Sequence, residues 1–207
     1  MGKRIITVIA LSLFVYWMVT VVLPVSGVEL TYQYRKFLRN TFNVSDIRSL
    51  ILPQFHIAQA VGTHTKDGIA IPAVFIDEPI IYNVDPNNRT SYLAALGDGI
   101  AHASSTSFPG SGGLGYYFAH SSTPDLAKQY NAVFYLLGKL NTGDKIYIWH
   151  SGDQFIYKVT KKLITLPTDL SFLHQNYPTE TIVLQTCWPP GTILQRLLVF
   201  AARVYPR

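Results

Sequence analysis

A single cysteine is the residue of this sequence best suited to nucleophilic chemistry. Cys187 ends the apolar run Thr181–Cys187 and is followed directly by the loop that begins Trp188-Pro189-Pro190. A thiol becomes a useful nucleophile when a base or a positive charge favours its thiolate. A lone cysteine can also be an inert buried side chain. The residues around Cys187 are therefore needed to distinguish a reactive thiol from an inert buried one.

Histidine is the usual base, and the chain has six histidines. His120 follows the apolar run Leu114–Ala119 and precedes a Ser-Ser loop, whereas His102 lies in the short run Ile100-Ala101-His102. Catalytic side chains are often presented where a strand meets a loop. This position favours His120 as the candidate base and leaves His102 as its main rival.

Arg196 opens the last apolar run, nine positions after Cys187. If the two runs pair as strands, the guanidinium and the thiol face the same end of the sheet. A fixed cation would then lie beside a developing oxyanion. A surface salt bridge is the other role that an arginine at this position could have.

The elements that must position these residues are short β-rich runs that begin near Ile69. Turn-forming residues separate them, as at Pro109–Gly113 and Thr142–Asp144, and this spacing is typical of an all-β sandwich or barrel. Helical patterns interrupt the series at 90–96 and 124–140. The predicted strands are Ile69–Ile76, Pro79–Tyr82, Leu114–Ala119, Lys145–Trp149, Phe155–Thr160, Thr181–Gln185 and Leu197–Ala201.

The N-terminal segment has a different character, because residues 5–28 carry no charge. About 20 apolar residues are enough to cross the ~30 Å hydrocarbon core of a bilayer. We predict a cytoplasmic tail at 1–4, a transmembrane anchor at 5–23, a juxtamembrane linker at 24–65 and an extracellular domain at 66–207. The alternative is a signal peptide cleaved after Val25-Ser26-Gly27, although the apolar run exceeds the usual ~7–15 residues.

Composition narrows the possible partners. The chain has 207 residues with 17 Lys and Arg against 12 Asp and Glu, a net charge of +5, and these charges are scattered rather than clustered. This pattern fits an anionic membrane surface but argues against a nucleic-acid partner. A single cysteine excludes an intramolecular disulfide, a Cys-rich zinc site and a Cys-ligated iron–sulfur cluster.

The order Ala119-His120, Thr186-Cys187 and Arg196 resembles that of the sortases, which are membrane-anchored cysteine transpeptidases. The resemblance runs from about Ile71 to Tyr205. One departure is Ala119, because the family often has glycine before its catalytic histidine. The segments that carry the resemblance are Ile71–Ile81, Leu96–His102, Ser107–Gly110, Gly115–Ser121, Leu140–Ile146 and Val183–Cys187.

The resemblance implies a closed β-barrel of about seven or eight strands with short flanking helices. It also implies that Cys187 attacks the Thr–Gly bond of an LPXTG-like sorting signal, that His120 acts as acid and base, and that Arg196 stabilises the oxyanion. The implied partners are surface proteins that carry the signal and an amine such as that of a cell-wall precursor. No acidic cluster marks the calcium site that some members have, so we expect no metal and no cofactor.

Two other functions stay open at this point. A cell-surface cysteine peptidase would use the same three residues and pass its thioester to water. A membrane-tethered binding module would keep Cys187 buried and inert. The resemblance also leaves open whether the chain anchors single proteins or assembles pili.

Overall fold

The structure, a computed structural model, describes residues 2–19, 26, 29–34, 36–37, 67–121 and 132–205. Most of the predicted linker, 24–65, and the first half of the predicted helix at 124–140 lie outside these residues. The described residues fall into an N-terminal unit and a larger β-rich unit.

The described part of the N-terminal unit includes a long helix, α1, over Gly2–Trp17. Its apolar side chains are exposed along its length, with Leu11 at 62% and Phe14 at 56%. Within the residues that the structure describes, no helix is both long enough and apolar enough to cross a bilayer. The predicted anchor continues through 20–23, which are outside the described residues.

The β-rich unit is a closed barrel of eight strands, which confirms the predicted β-barrel. The order around the barrel is β1-β2-β3-β4-β7-β8-β6-β5. Neighbouring strands are antiparallel except for two parallel pairs, β2 with β3 and β4 with β7. The strands are β1 Gly68–Ile71, β2 Ile76–Val84, β3 Ile100–Ala103, β4 Leu114–Phe118, β5 Lys145–His150, β6 Asp153–Thr165, β7 Thr181–Trp188 and β8 Gln195–Val204.

Parallel neighbours require a crossover, and helix α2 over Arg89–Asp98 supplies the one between β2 and β3. The Asn88 side chain accepts a hydrogen bond from the Ser91 amide and so caps the helix N-terminus. The helix predicted at 90–96 is therefore confirmed and is slightly longer than expected.

Two expectations need correction. The run Ile69–Ile76 is not one strand, because Pro72 begins a 3-10 helix, Pro72–Val74, that separates β1 from β2. Proline lacks the N–H that a strand would use at this position. The α-helix predicted over 124–140 does not extend through 132–140, which forms turns and the 3-10 helix Leu137–Lys139.

The barrel buries apolar side chains on both faces of β4, β7 and β8. Side chains such as Tyr117, Leu184 and Val199 point into the interior core. The alternate residues form a smaller cluster on the outside, which we call the outer cluster. Its buried members are Ala103, Tyr116, Phe172, Val183, Leu198 and Phe200. Phe172 comes from the 3-10 helix Ser171–His174, so the connection between β6 and β7 covers this part of the barrel.

A buried ion pair fastens the end of the barrel where β7 begins. Glu180 Oε1 accepts hydrogen bonds from Arg203 Nη1 at 3.0 Å, from the Gly110 amide at 3.0 Å and from the Tyr157 hydroxyl. Burial alone would raise the pKa of Glu180, but these donors and the Arg203 charge outweigh it and lower the pKa. The Arg203 guanidinium also stacks over Phe155 at 4.4 Å.

Candidate active site

Cys187 and Arg196 are direct partners on neighbouring antiparallel strands. The register of β7 with β8 pairs Cys187 with Arg196. Residues directly opposite each other on an antiparallel pair have Cβ atoms about 4.5–5.5 Å apart. The structure therefore places opposite each other the two residues, Cys187 and Arg196, that the sequence singled out.

His120 reaches the same level of the barrel through the parallel pairing of β4 with β7. This register pairs Phe118 with Gln185, and the Ala119 amide continues it by donating to the Gln185 carbonyl at 3.2 Å. Two more positions along each chain lead to His120 and Cys187. Because Ala119 packs into the interior core, the next residue lies toward the outside of the barrel.

Strand alternation places Cys187 and Arg196 on the same outer face. Cys187 shares this face with Val183, and Arg196 shares it with Leu198; both of these residues belong to the outer cluster. Tyr116 gives independent support. Burial raises the pKa of its hydroxyl well above its usual range; the Arg196 charge opposes that shift and a Cys187 thiolate adds to it. The buried phenol therefore lies close enough to both groups for their charges to affect its pKa.

Burial also affects the candidate base. It lowers the pKa of the His120 imidazole below its usual value, because a half-buried site disfavours the charged form. The His120 carbonyl accepts a hydrogen bond from the Phe134 amide at 3.0 Å. Phe134 is fully buried, so this bond ties the histidine backbone to the barrel core.

Backbone carbonyls fix the orientation of Arg196. Its Nη1 donates to the Ile193 carbonyl at 3.2 Å and to the Gln195 carbonyl at 3.1 Å. A guanidinium has five N–H donors in a planar fork. Two carbonyls that hold one nitrogen leave further donors for an oxyanion beside Cys187.

His102 lies in a different part of the barrel. It is 1% exposed, and its ring packs against Tyr82, Phe108 and Tyr117 in the interior. Its Nε2 lies 3.1 Å from the Ser107 carbonyl, which assigns the ring proton to Nε2. Burial lowers the pKa of His102, as it does for His120. The structure thus separates the rival histidine from Cys187.

Sequence reasoning missed several side chains around this site. Tyr116 contributes to the floor of the outer face, and Trp188, the residue after Cys187, packs so closely on Gly138 that a Cβ there would lie 2.8 Å from its ring. Both relations depend on segments far apart in the chain, so no local pattern signals them.

Among the described residues, no group of three or more His, Cys, Asp or Glu side chains is placed to hold a metal ion.

Comparisons with known proteins agree on one family. The family model of the Sortase domain matches residues 69–204. Sortase D of Bacillus subtilis (strain 168) is 24% identical over 139 residues, which are 66% of this chain and 62% of that protein. The chain thus spans less than two thirds of the length of this relative.

Solved structures give the same result. Sortase C-1 from Actinomyces oris is 26% identical with a TM-score of 0.57, over 68% of this chain and 74% of that chain. Sortase C1 of Streptococcus agalactiae is 28% identical with a TM-score of 0.57, over 68% of each chain. The pilus-related sortase C of Group B Streptococcus is 28% identical with a TM-score of 0.57, over 70% of this chain and 69% of that chain.

Proposed function

This chain belongs to the sortase family, and we propose that it is a cysteine transpeptidase that cleaves an LPXTG-like sorting signal and joins the acyl fragment to an amine. The observation that carries the proposal is the cross-strand pair of Cys187 and Arg196, with His120 two residues beyond the end of β4, the strand that pairs with β7. These three residues are the ones that the sequence analysis named as catalytic candidates.

The first half of the reaction forms a thioester. The Cys187 thiolate attacks the carbonyl carbon of the Thr–Gly peptide bond, and the carbonyl oxygen takes up the negative charge. Arg196 donates hydrogen bonds to this oxyanion. When the C–N bond breaks, His120 gives its proton to the departing glycine amine.

The second half transfers the acyl group. An incoming amine attacks the thioester, and His120 accepts the proton that this amine loses. The C–S bond breaks, an amide forms, and the Cys187 thiolate returns.

The outer face also suits the apolar part of a sorting signal. Ile193 is 78% exposed and Leu194 is 68% exposed, and both precede Arg196 in the loop between β7 and β8. Leu166 and Leu170 are 62% and 48% exposed in the connection after β6. Apolar side chains at the rim of a site offer contact area to the leucine and proline of the signal.

We propose a cell-wall precursor as the source of the acceptor amine, and the membrane as the location of the enzyme, with its barrel outside the cell. Fractionation of cells that express the chain with a C-terminal tag tests the location. We expect a full-length band in the membrane fraction. A band shortened to begin near Val28 and found in the medium would support a signal peptide instead.

The activity test is mass spectrometry of the full-length chain with an LPXTG-type peptide and hydroxylamine. We expect an LPXT-hydroxamate whose yield rises with hydroxylamine, and Cys187→Ala serves as the inactive control. Release of free LPXT acid at the same rate with and without the amine would indicate a peptidase. An unchanged peptide would contradict catalysis on this signal.

The acceptor is tested separately by competition. The peptide is offered together with a cell-wall stem peptide and a lysine-containing peptide from a surface protein. We expect ligation to the stem peptide. Preferential ligation to the lysine side chain would contradict the proposed acceptor. It would indicate instead that the enzyme joins surface proteins into polymers.

A further inference from the structure

We infer that Thr186 is a positioning residue that holds His120 level with Cys187, an inference that rests on the proposed function. Thr186 Oγ1 donates a hydrogen bond to the Ala119 carbonyl at 2.9 Å. Both residues are buried, with Thr186 3% and Ala119 6% exposed. The Ala119 carbonyl belongs to the peptide group that leads directly into His120.

This bond completes a series around the histidine. The Ala119 amide donates to the Gln185 carbonyl at 3.2 Å, and the Phe134 amide donates to the His120 carbonyl at 3.0 Å. The Thr186 hydroxyl holds the carbonyl between them. Three consecutive peptide groups are therefore fixed, and together they set the direction in which the His120 side chain leaves the backbone.

The hydroxyl is needed because β4 ends at Phe118, two residues before His120. Beyond that point one backbone bond, from the Ala119 amide to the Gln185 carbonyl, continues the pairing, and the Thr186 hydroxyl supplies the next contact between the two segments. Thr186 directly precedes Cys187, so one residue on the nucleophile's strand reaches across to the base's segment. The Thr186 hydroxyl thus adds a side-chain link between the segments of the nucleophile and the base, beside the two backbone bonds.

Removing the hydroxyl leaves the shape of the side chain almost unchanged but frees the Ala119 carbonyl. A displacement of about 1 Å in an active site can lower turnover roughly 100-fold. Because the substitution leaves the exposed apolar side chains proposed to contact the signal unchanged, the loss appears in kcat while KM stays nearly constant. A histidine released toward water also regains part of its usual pKa, so its limb of the pH–rate profile moves to higher pH.

The test compares Thr186→Val with Thr186→Ser and with a matched control, Thr181→Val. Thr181 lies at the other end of β7, where its hydroxyl donates to the nearby Thr179 carbonyl at 2.9 Å. We expect Thr186→Val to lower kcat roughly 10- to 100-fold, Thr186→Ser to restore most of it and Thr181→Val to leave it unchanged. Thr186→Ala removes the same hydroxyl and replaces the valine variant should that variant fail to fold.

A second readout does not depend on the substrate. Cys187 is the single cysteine, so the rate of its alkylation by iodoacetamide as a function of pH reports on its coupling to His120 in the full-length chain. We expect Thr186→Val to change this profile and Thr181→Val to reproduce that of the wild type. Unchanged turnover and alkylation profiles in Thr186→Val, or equal changes in Thr181→Val, would overturn the inference. A wild-type chain without turnover would overturn the proposed function, while alkylation would still test the role of Thr186.

Discussion

Strand β8 carries an arginine near each end, and the two side chains are held in opposite ways. Arg203 pairs with the buried Glu180 at 3.0 Å and stacks on aromatic rings. Arg196 is oriented by two backbone carbonyls and lies across from Cys187. Of the residues that the structure describes, no carboxylate pairs with Arg196.

This difference shows how one strand can support both stability and chemistry. A carboxylate partner neutralises Arg203, so that its charge is not available to a ligand. Backbone carbonyls orient Arg196 without cancelling its charge. The far end of the barrel thus holds a neutralised ion pair, and the other end keeps an arginine without a carboxylate partner opposite Cys187, the proposed nucleophile.

The largest expected effect extends this contrast to the two histidines. His120→Ala should lower turnover roughly 100- to 10,000-fold with little change in melting temperature, because general acid–base catalysis contributes this much. His102→Ala should lower the melting temperature and leave turnover per folded molecule nearly unchanged, since it removes a buried ring from the interior. Turnover per folded molecule is measured beside a thermal melt. If His102→Ala abolished turnover in folded protein and His120→Ala did not, the assignment of the base would be wrong.

The next effect concerns the arginines themselves. Arg196→Lys should lower turnover about 100- to 1,000-fold, or ~2.7–4 kcal/mol, because an ammonium cannot reproduce the planar fork. Arg203→Lys should lower the melting temperature and leave turnover per folded molecule unchanged. Near-wild-type turnover in Arg196→Lys would make this arginine a surface charge rather than part of the mechanism.

A smaller effect is expected for the partner of Arg203. Glu180→Gln keeps the shape of the side chain but removes the negative charge from the group that accepts these hydrogen bonds. Weaker hydrogen bonds should lower the free energy of unfolding by about 1.5–3 kcal/mol. Asp153→Asn, at an exposed carboxylate near the start of β6, is the control and should stay within about 0.5 kcal/mol of the wild type. Urea unfolding measures both. Equal midpoints for Glu180→Gln and the wild type would mean that the buried pair adds nothing to stability.

The smallest effect is the pH dependence of that stability. The pKa of Glu180 is lowered from its ordinary value of 4.5 by folding, so the stabilisation is present above pH 4.5 and is lost as pH falls through the folded pKa. Glu180→Gln should therefore lose less stability than the wild type on acidification below pH 4.5. Parallel curves for the two proteins would assign the acid sensitivity to other groups.

The sequence predicted the long strands well but not the way in which they pair. Apolar runs and turn residues placed β7 and β8, and Cys187 was expected near Arg196 only on the condition that these two runs pair. β3 was missed because it has only four residues, too few for an alternating pattern. The parallel pairing of β4 with β7 joins segments more than 60 residues apart, and no local signal specifies it.

Long-range pairing also limits how much of the candidate site could be predicted from the sequence. Cys187, His120 and Arg196 were identified from residue type and from their position at strand ends, and their catalytic roles stay predictions. Thr186 and Tyr116 could not be recognised, because a threonine or tyrosine in an apolar strand has many structural uses. Their relation to the site depends on which carbonyl or charge the register brings opposite them.

The most direct test of the account is the covalent intermediate itself. The full-length chain is mixed with an LPXTG-type peptide, quenched in acid during turnover and digested for mass spectrometry. We expect the LPXT acyl group on the peptide that contains Cys187, its disappearance when an amine is added, and no adduct in Cys187→Ala. Product formation by Cys187→Ala, or an adduct on a different residue, would contradict the assignment of Cys187 as the nucleophile.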